Sequence, residues 1–305
     1  MNLQELRYFT AVAEFRHFGR AAEACHVSQP TLSGQIRKLE EELGVTLLER
    51  TNKRVDLTPV GRQILDHAHR ALAETGQIES VARAARDPLV GALRLGMIPT
   101  LAPYLLPLIM GPLRKEYPGL TIELWEDQTR LLVECLRSHR LDAALVASPL
   151  GTLEFNEATL FAEPLVAVLS PGHALAKNET VDESALADDL LVMADGHCLV
   201  NHSLAACGAK AGLQSAMQAA TLETLVNLVA AGYGTTLIPA LAAPWIENRW
   251  LANRGVELRP LRQNSMRIIL LASRPGFPRP QALRAIEKVV RRAVPPDWVQ
   301  SASAA

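Results

Sequence analysis

The hydrophobic periodicity of this chain changes once, at Asp87-Pro88-Leu89-Val90-Gly91, and that change limits what each side can fold into. Before it, apolar residues recur at helical spacing: Leu3, Leu6, Phe9, Val12 and Ala13, then Leu32, Ile36, Leu39 and Leu43, then Ile64, Leu65, Ala68, Ala71 and Leu72. After it, short apolar runs alternate with helical stretches. The first part is therefore expected to be helical and the second to be α/β. The proline and glycine at the joint end the last helix and supply a hinge.

Within the first part, a helix from Leu3 is followed by a short one from Arg20 to about Cys25. Ser28 then precedes Gln29-Pro30, an N-cap with proline in the first turn, and Gly44 ends the third helix. A short helix, a tight turn and a capped helix make a helix-turn-helix. Leu47 to Thr58 reads as two short strands around a basic tip, a wing. The start of the third helix would present Gln29, Pro30, Thr31 and Ser33 to base edges in a major groove. Arg50, Lys53 and Arg54 on the wing would meet phosphates. Charge does not decide the matter. Between Met1 and Thr58 basic and acidic residues balance, eight against eight, and the whole chain carries −1. A merely packed three-helix unit stays possible on that ground.

The chain of 305 residues is long enough for two or three cores. No signal peptide is visible at Met1-Asn2-Leu3-Gln4-Glu5, and no apolar run reaches the 18 or so residues of a membrane span, so a cytoplasmic protein is expected. Cysteines and histidines lack ligand-type clustering, so neither a metal nor a cofactor is expected. Boundaries are placed at 1–58 for the winged helix-turn-helix, 59–87 for a long linker helix and 88–305 for a two-lobed α/β domain. Strands are expected at Leu93–Ile98, Leu120–Leu124, Leu141–Val146, Leu165–Leu169, Leu190–Met193, Thr235–Pro239 and Met266–Ala272, with helices between them forming a parallel sheet wrapped on both faces.

Two of the four cysteines, Cys198 and Cys207, stand nine positions apart in Asp195-Gly196-His197-Cys198-Leu199-Val200-Asn201-His202-Ser203-Leu204-Ala205-Ala206-Cys207. A helix of nine rises separates their Cα atoms by about 13 Å, and an extended strand by about 30 Å. A disulfide needs less than about 7 Å. If either regular form is adopted, bonding the two must refold what lies between, a covalent switch with a conformational readout. The alternative is two small buried hydrophobes, and Cys25 and Cys135 read that way.

The wording of the first part is specific. Arg20-Ala21-Ala22, Val27-Ser28-Gln29-Pro30-Thr31-Leu32-Ser33, Ile36-Arg37-Lys38-Leu39-Glu40, Leu43-Gly44-Val45, Leu48-Glu49-Arg50 and Leu57-Thr58-Pro59-Val60-Gly61 resemble the LysR-type transcriptional regulators. The resemblance implies a winged helix-turn-helix, a linker helix that pairs two chains, and two Rossmann-like lobes similar to periplasmic binding proteins. Met97-Ile98-Pro99-Thr100, Tyr104-Leu105-Leu106-Pro107, Glu126-Asp127-Gln128-Thr129, Gly196-His197-Cys198-Leu199 and Leu222-Glu223-Thr224-Leu225 are similar to the peroxide-sensing branch of that family.

That branch implies Cys198 as the oxidised cysteine and Cys207 as the resolving one, with Thr100, Thr129, His197 and Arg267 around the peroxide. Its partners are double-stranded DNA, hydrogen peroxide, RNA polymerase, a thiol reductant of glutaredoxin or thioredoxin type, and further copies of the chain as homodimer and homotetramer. Members commonly carry Arg-Asp after Cys-Leu, where this chain has Val200-Asn201, and often a histidine where Ala216-Met217-Gln218 stands. Two other readings remain at this point. One is a regulator answering to a small metabolite between the lobes, with incidental cysteines. The other is a thiol peroxidase, which has no use for a DNA-binding head.

Overall fold

Every helix of the first unit begins on a side chain that satisfies its free N–H groups. Asn2 and Glu5 form a capping box at the start of α1 (Leu3–Phe15). His17 Nδ1 accepts from Gly19 and Arg20 at α2 (Phe18–Ala24). Ser28 Oγ accepts from the Thr31 N–H at α3 (Gln29–Leu43), which ends on Gly44 at a φ of 69°. Strands β1 (Leu48–Arg50) and β2 (Val55–Leu57) pair antiparallel as the wing. Leu6, Phe9, Val12, Leu32, Ile36, Leu39 and Leu47 are the core of this unit. The long helix α4 (Pro59–Ala84) leaves the wing through a tight corner. A Cβ on Gly61 would lie 2.1 Å from the Leu47 carbonyl oxygen, so only glycine fits there.

This computed structural model describes residues 1–50, 55–84, 87–208, 219–250 and 255–303. The chain divides into one unit of Met1–Arg86 with Arg137–Arg140 and a second of the remaining residues. Lys53, Arg54 and the segment Ala216-Met217-Gln218 lie outside the described residues. Along α4, Ile64, Leu65, Ala68, Ala71 and Leu72 pack on the core of their own unit, whereas Ile78 further along is exposed.

The second unit runs β3 (Gly91–Met97), α5 (Ala102–Glu116), β4 (Leu120–Glu126), α6 (Thr129–Arg137), β5 (Ala143–Val146) and β6 (Asn156–Leu169). It continues with α7 (Cys198–Cys207), α8 (Leu222–Ala230), β7 (Thr236–Pro239), α9 (Ala243–Trp250), β8 (Glu257–Pro260), β9 (Met266–Ser273), α10 (Pro280–Ala293) and α11 (Pro296–Ser303). Strand order is β4-β3-β5-β9-β6-β7, with β8 also on β6. The first three pair parallel, as the alternation predicts. The rest do not. Strand β9 runs antiparallel to both β5 and β6, so the sheet is mixed. Strand β6 begins at Asn156, well before the expected Leu165, because it serves three partners. Its first part lies against β9 and its last residues against β7 and β8.

Leu190–Met193 is buried as expected but makes only isolated bridges, Leu190 to Thr235 and Met193 to Ala219. Periodicity had detected its burial and could not tell a strand from an irregular buried run. Strand β8 and helix α11, where Trp298 stacks on Phe161 at 6.2 Å, carry too little periodicity to be anticipated.

Candidate functional site

The centre of the second unit's site is a cation. Arg267 and Glu163 are direct cross-strand partners on β9 and β6, and both are fully buried. Arg267 Nε donates to Glu163 Oε1 at 2.7 Å, and Glu163 Oε2 accepts from the Leu241 N–H at 3.0 Å. The remaining guanidinium nitrogens turn to the β3–α5 corner. Nη1 donates to Thr100 Oγ1 at 2.9 Å and Nη2 to the Thr100 carbonyl at 3.0 Å. The carboxylate is what makes this buried charge tolerable. Removing either partner of such a pair strands the other at a cost of about 3–5 kcal/mol.

Cys198 is the first residue of α7, half-buried beside this cation. Burial raises the pKa of its thiol. Four groups pull the other way: the Arg267 charge, the backbone N–H groups of Cys198 and Leu199 at the open end of the helix, and the Thr129 hydroxyl. Thr129 opens α6, and its Oγ1 is buried with no hydrogen bond of good geometry among the described residues. It neighbours the sulfur and has no other partner among the described residues. The Thr100 hydroxyl accepts from Arg267 and has its own proton to offer. Thr100, Thr129, Cys198 and Arg267, chosen from sequence, thus surround one place.

His197 stands at the N-cap of α7 but contributes no side-chain cap, and burial lowers its pKa, so it is neutral near pH 7. It is not among the groups that favour the Cys198 thiolate. Loop placement before the helix depends on Gly196, at a φ of 92°: a Cβ there would lie 2.2 Å from Gln128 Oε1. Gln128 Nε2 in turn donates to the Asp195 carbonyl at 3.3 Å.

Cys207 closes the same helix and is buried. Burial first, and the Glu183 charge second, push its thiol up to about 11. All four cysteines are free thiols. The ten residues of α7 set the two cysteines at opposite ends of a helix, with Cα atoms about 13 Å apart along its axis, beyond the reach of a disulfide.

In the first unit Gln29, Pro30 and Thr31 are exposed at the start of α3 and Ser33 is half-buried. Arg50 ends β1.

Three residues of the second unit carry roles that sequence reasoning gave to none of them. Glu163 is one: a lone acid in the run Leu160-Phe161-Ala162-Glu163-Pro164-Leu165-Val166 signals a buried cationic partner. Gln128 is another. His202 is the third, one helical turn beyond Cys198, with its Nε2 at 2.8 Å from the Ala147 carbonyl oxygen.

Residues 3–62 match the bacterial regulatory helix-turn-helix protein model of the lysR family, and residues 86–295 match the LysR substrate binding domain. The chain belongs to the LysR family. It is 42% identical over 294 residues to the DNA-binding transcriptional dual regulator OxyR of Escherichia coli strain K12, covering 95% of each. Among solved structures it is similar to a cysteine-to-aspartate variant of full-length OxyR from Pseudomonas aeruginosa, with a TM-score of 0.75, 35% identity and 95% of each chain covered. It is also similar to an H2O2-bound cysteine-to-serine variant of OxyR from Corynebacterium glutamicum, with a TM-score of 0.66, 33% identity, 99% of this chain and 95% of that one. As a LysR-family regulator the chain carries a DNA-binding head. Among its described residues, no helix is long and apolar enough to cross a membrane.

Proposed function

We propose that this LysR-family protein is a transcriptional regulator that senses hydrogen peroxide by reversible Cys198–Cys207 disulfide formation and controls oxidative-stress genes. The observation that carries this reading is the placing of the two thiols on α7, one among Arg267, Thr100 and Thr129 and the other buried at the far end. Peroxide is small and needs only hydroxyl donors and a nearby cation, which this place supplies. The relatives named for OxyR, one of them solved with H2O2 bound, support it.

The chemistry follows from the groups present. The Cys198 thiolate attacks one peroxide oxygen, the S–O bond forms and the O–O bond breaks. Hydroxide leaves, stabilised by Arg267 and by the hydroxyls of Thr100 and Thr129, and takes up a proton to become water. The Cys207 thiol then displaces the sulfenic oxygen: the S–S bond forms, the S–O bond breaks, and a second water departs with the thiol proton. This second step requires α7 to unwind. Because the refolded helix alters the surface of the regulatory unit, oxidation shifts how copies pack, and so the spacing of their DNA heads. Residues 88–305 then form the sensor, Met1–Thr58 the reader with Gln29, Pro30, Thr31, Ser33, Arg50, Lys53 and Arg54 at the DNA, and 59–87 the pairing helix of a homotetramer.

On this reading the protein works in the cytoplasm with RNA polymerase, and a glutaredoxin- or thioredoxin-type reductant resets it. It is a sensor and not an enzyme, since it consumes peroxide only as fast as that reset. Mass spectrometry of the thiols before and after stoichiometric peroxide tests it. Loss of two thiols, mapped to a Cys198–Cys207 bridge that dithiothreitol reverses, is expected, with a changed operator footprint. A Cys198 that stays free at low peroxide would overturn the reading in favour of a metabolite effector.

A further inference from the structure

His202 ties the middle of α7 to the segment that follows β5. Its Nε2 lies 2.8 Å from the Ala147 carbonyl oxygen and 3.2 Å from Ser148 Oγ, in the segment that follows β5. A carbonyl only accepts, so Nε2 carries the proton and donates it, and Ser148 Oγ shares it. Ala147 is buried and His202 half-buried, so water has little access to replace the bond. Burial and the Arg267 charge lower the pKa of the ring, which leaves His202 neutral.

We infer that His202 is a positioning residue for the switch, a latch that holds α7 in its helical, reduced form and sets how readily the Cys198 sulfenic acid goes on to the disulfide. The inference rests on the peroxide-sensing reading. It differs from the peroxide site in what it acts upon. His202 sits inside the segment that must be rebuilt for Cys207 to reach Cys198, so its bonds to Ala147 and Ser148 stabilise the reduced form alone. His202 is not among the groups that act on the Cys198 thiol, so the attack of the thiolate on peroxide does not run through it. The latch therefore separates the two steps, S–O formation with release of hydroxide, and S–S formation with release of water.

The test uses the full chain, with His202→Ala and His202→Gln. Rapid quenching with a sulfenate-specific dimedone probe and mass spectrometry reads each step, and equilibration with glutathione reads the dithiol–disulfide balance. In His202→Ala, sulfenate formation is expected to stay within about twofold of the parent. Disulfide formation is expected to quicken about three- to tenfold, with the balance moving to the disulfide by a similar factor, the worth of one net hydrogen bond. Alanine is the best helix former, so any effect of propensity opposes this result and cannot imitate it. His202→Gln, which keeps an N–H donor of similar reach, is expected to return both values towards the parent. A second step and a balance unchanged in both variants would overturn the latch while leaving the sensor standing. Equal acceleration of both steps would overturn it too, since that signals general loosening. Failure of the parent protein to form any sulfenate on Cys198 would sink the sensor reading and this inference with it.

Discussion

The two ends of α7 carry the same side chain in opposite surroundings. At the N-terminal end Cys198 is half-buried with free backbone N–H groups, the Arg267 cation and the Thr129 hydroxyl against its sulfur. At the C-terminal end Cys207 is buried, faces a helix terminus of the wrong sign for an anion, and has the Glu183 charge nearby. Both thiols are raised by burial, yet only Cys198 has groups that oppose the rise. A thiolate is the nucleophile, so on the proposed reading a single helix distinguishes the attacking cysteine from the resolving one by its polarity and by what packs on each end. Cys207 becomes useful only after it leaves its site.

The largest expected effect breaks the comparison at its ends. Cys198→Ser should lower peroxide consumption at least about a hundredfold, because a hydroxyl is not an effective nucleophile here. Cys207→Ser should leave the first step intact and accumulate sulfenate that dimedone traps on Cys198. Comparable loss in both variants would mean the two thiols are not distinguished as described.

A smaller effect sharpens the comparison at one end. Thr129→Val keeps the shape and removes the hydroxyl beside Cys198. Oxidation of Cys198 is expected to slow about ten- to a hundredfold, the worth of one hydrogen bond to a developing charge. The alkylation rate of Cys207 in the reduced protein should stay the same. A change in Cys207 as well would mean that the valine had disturbed the fold.

A last effect lies in pH. Both thiols have folded pKa values above their unfolded ones, so the folded state holds protons that the unfolded state has lost. Reduced-state stability is therefore full below the ordinary cysteine pKa of about 8.5 and falls as pH rises, through about 11 for Cys207. Below that range the Cys198 reaction should climb about tenfold per pH unit with its thiolate fraction. Stopped-flow rates between pH 6 and 9 check this. A plateau near neutral pH would show that Arg267 and the helix N-terminus outweigh burial.

Much of this was legible in the residues. Ser28, Pro30 and Gly44 bound the recognition helix by local chemistry, and the structure places its bounds at Gln29 and Leu43. Thr100 and Thr129 could be assigned to strand-to-helix corners, and a spacing of nine positions between the cysteines already excluded a disulfide within a helix. Strand direction was less legible. The antiparallel run of β9 against β5 and β6 comes from residues paired across more than a hundred positions, and the further pairing of β6 with β7 and β8 from residues many tens of positions apart, which no local period records. The burial of Leu190–Met193 was visible while its lack of a ladder was not.

By itself the sequence determined the helical head, the α/β unit, the family wording and the pair of cysteines, because caps, periods and motifs act over a few neighbouring residues. Only the tertiary structure decided which groups tune those cysteines. Arg267 meets Glu163 across 104 positions and Thr100 across 167, and His202 meets Ala147 across 55. A buried charge or a shared proton chooses its partner by proximity once water is excluded, and that proximity exists only in the folded chain.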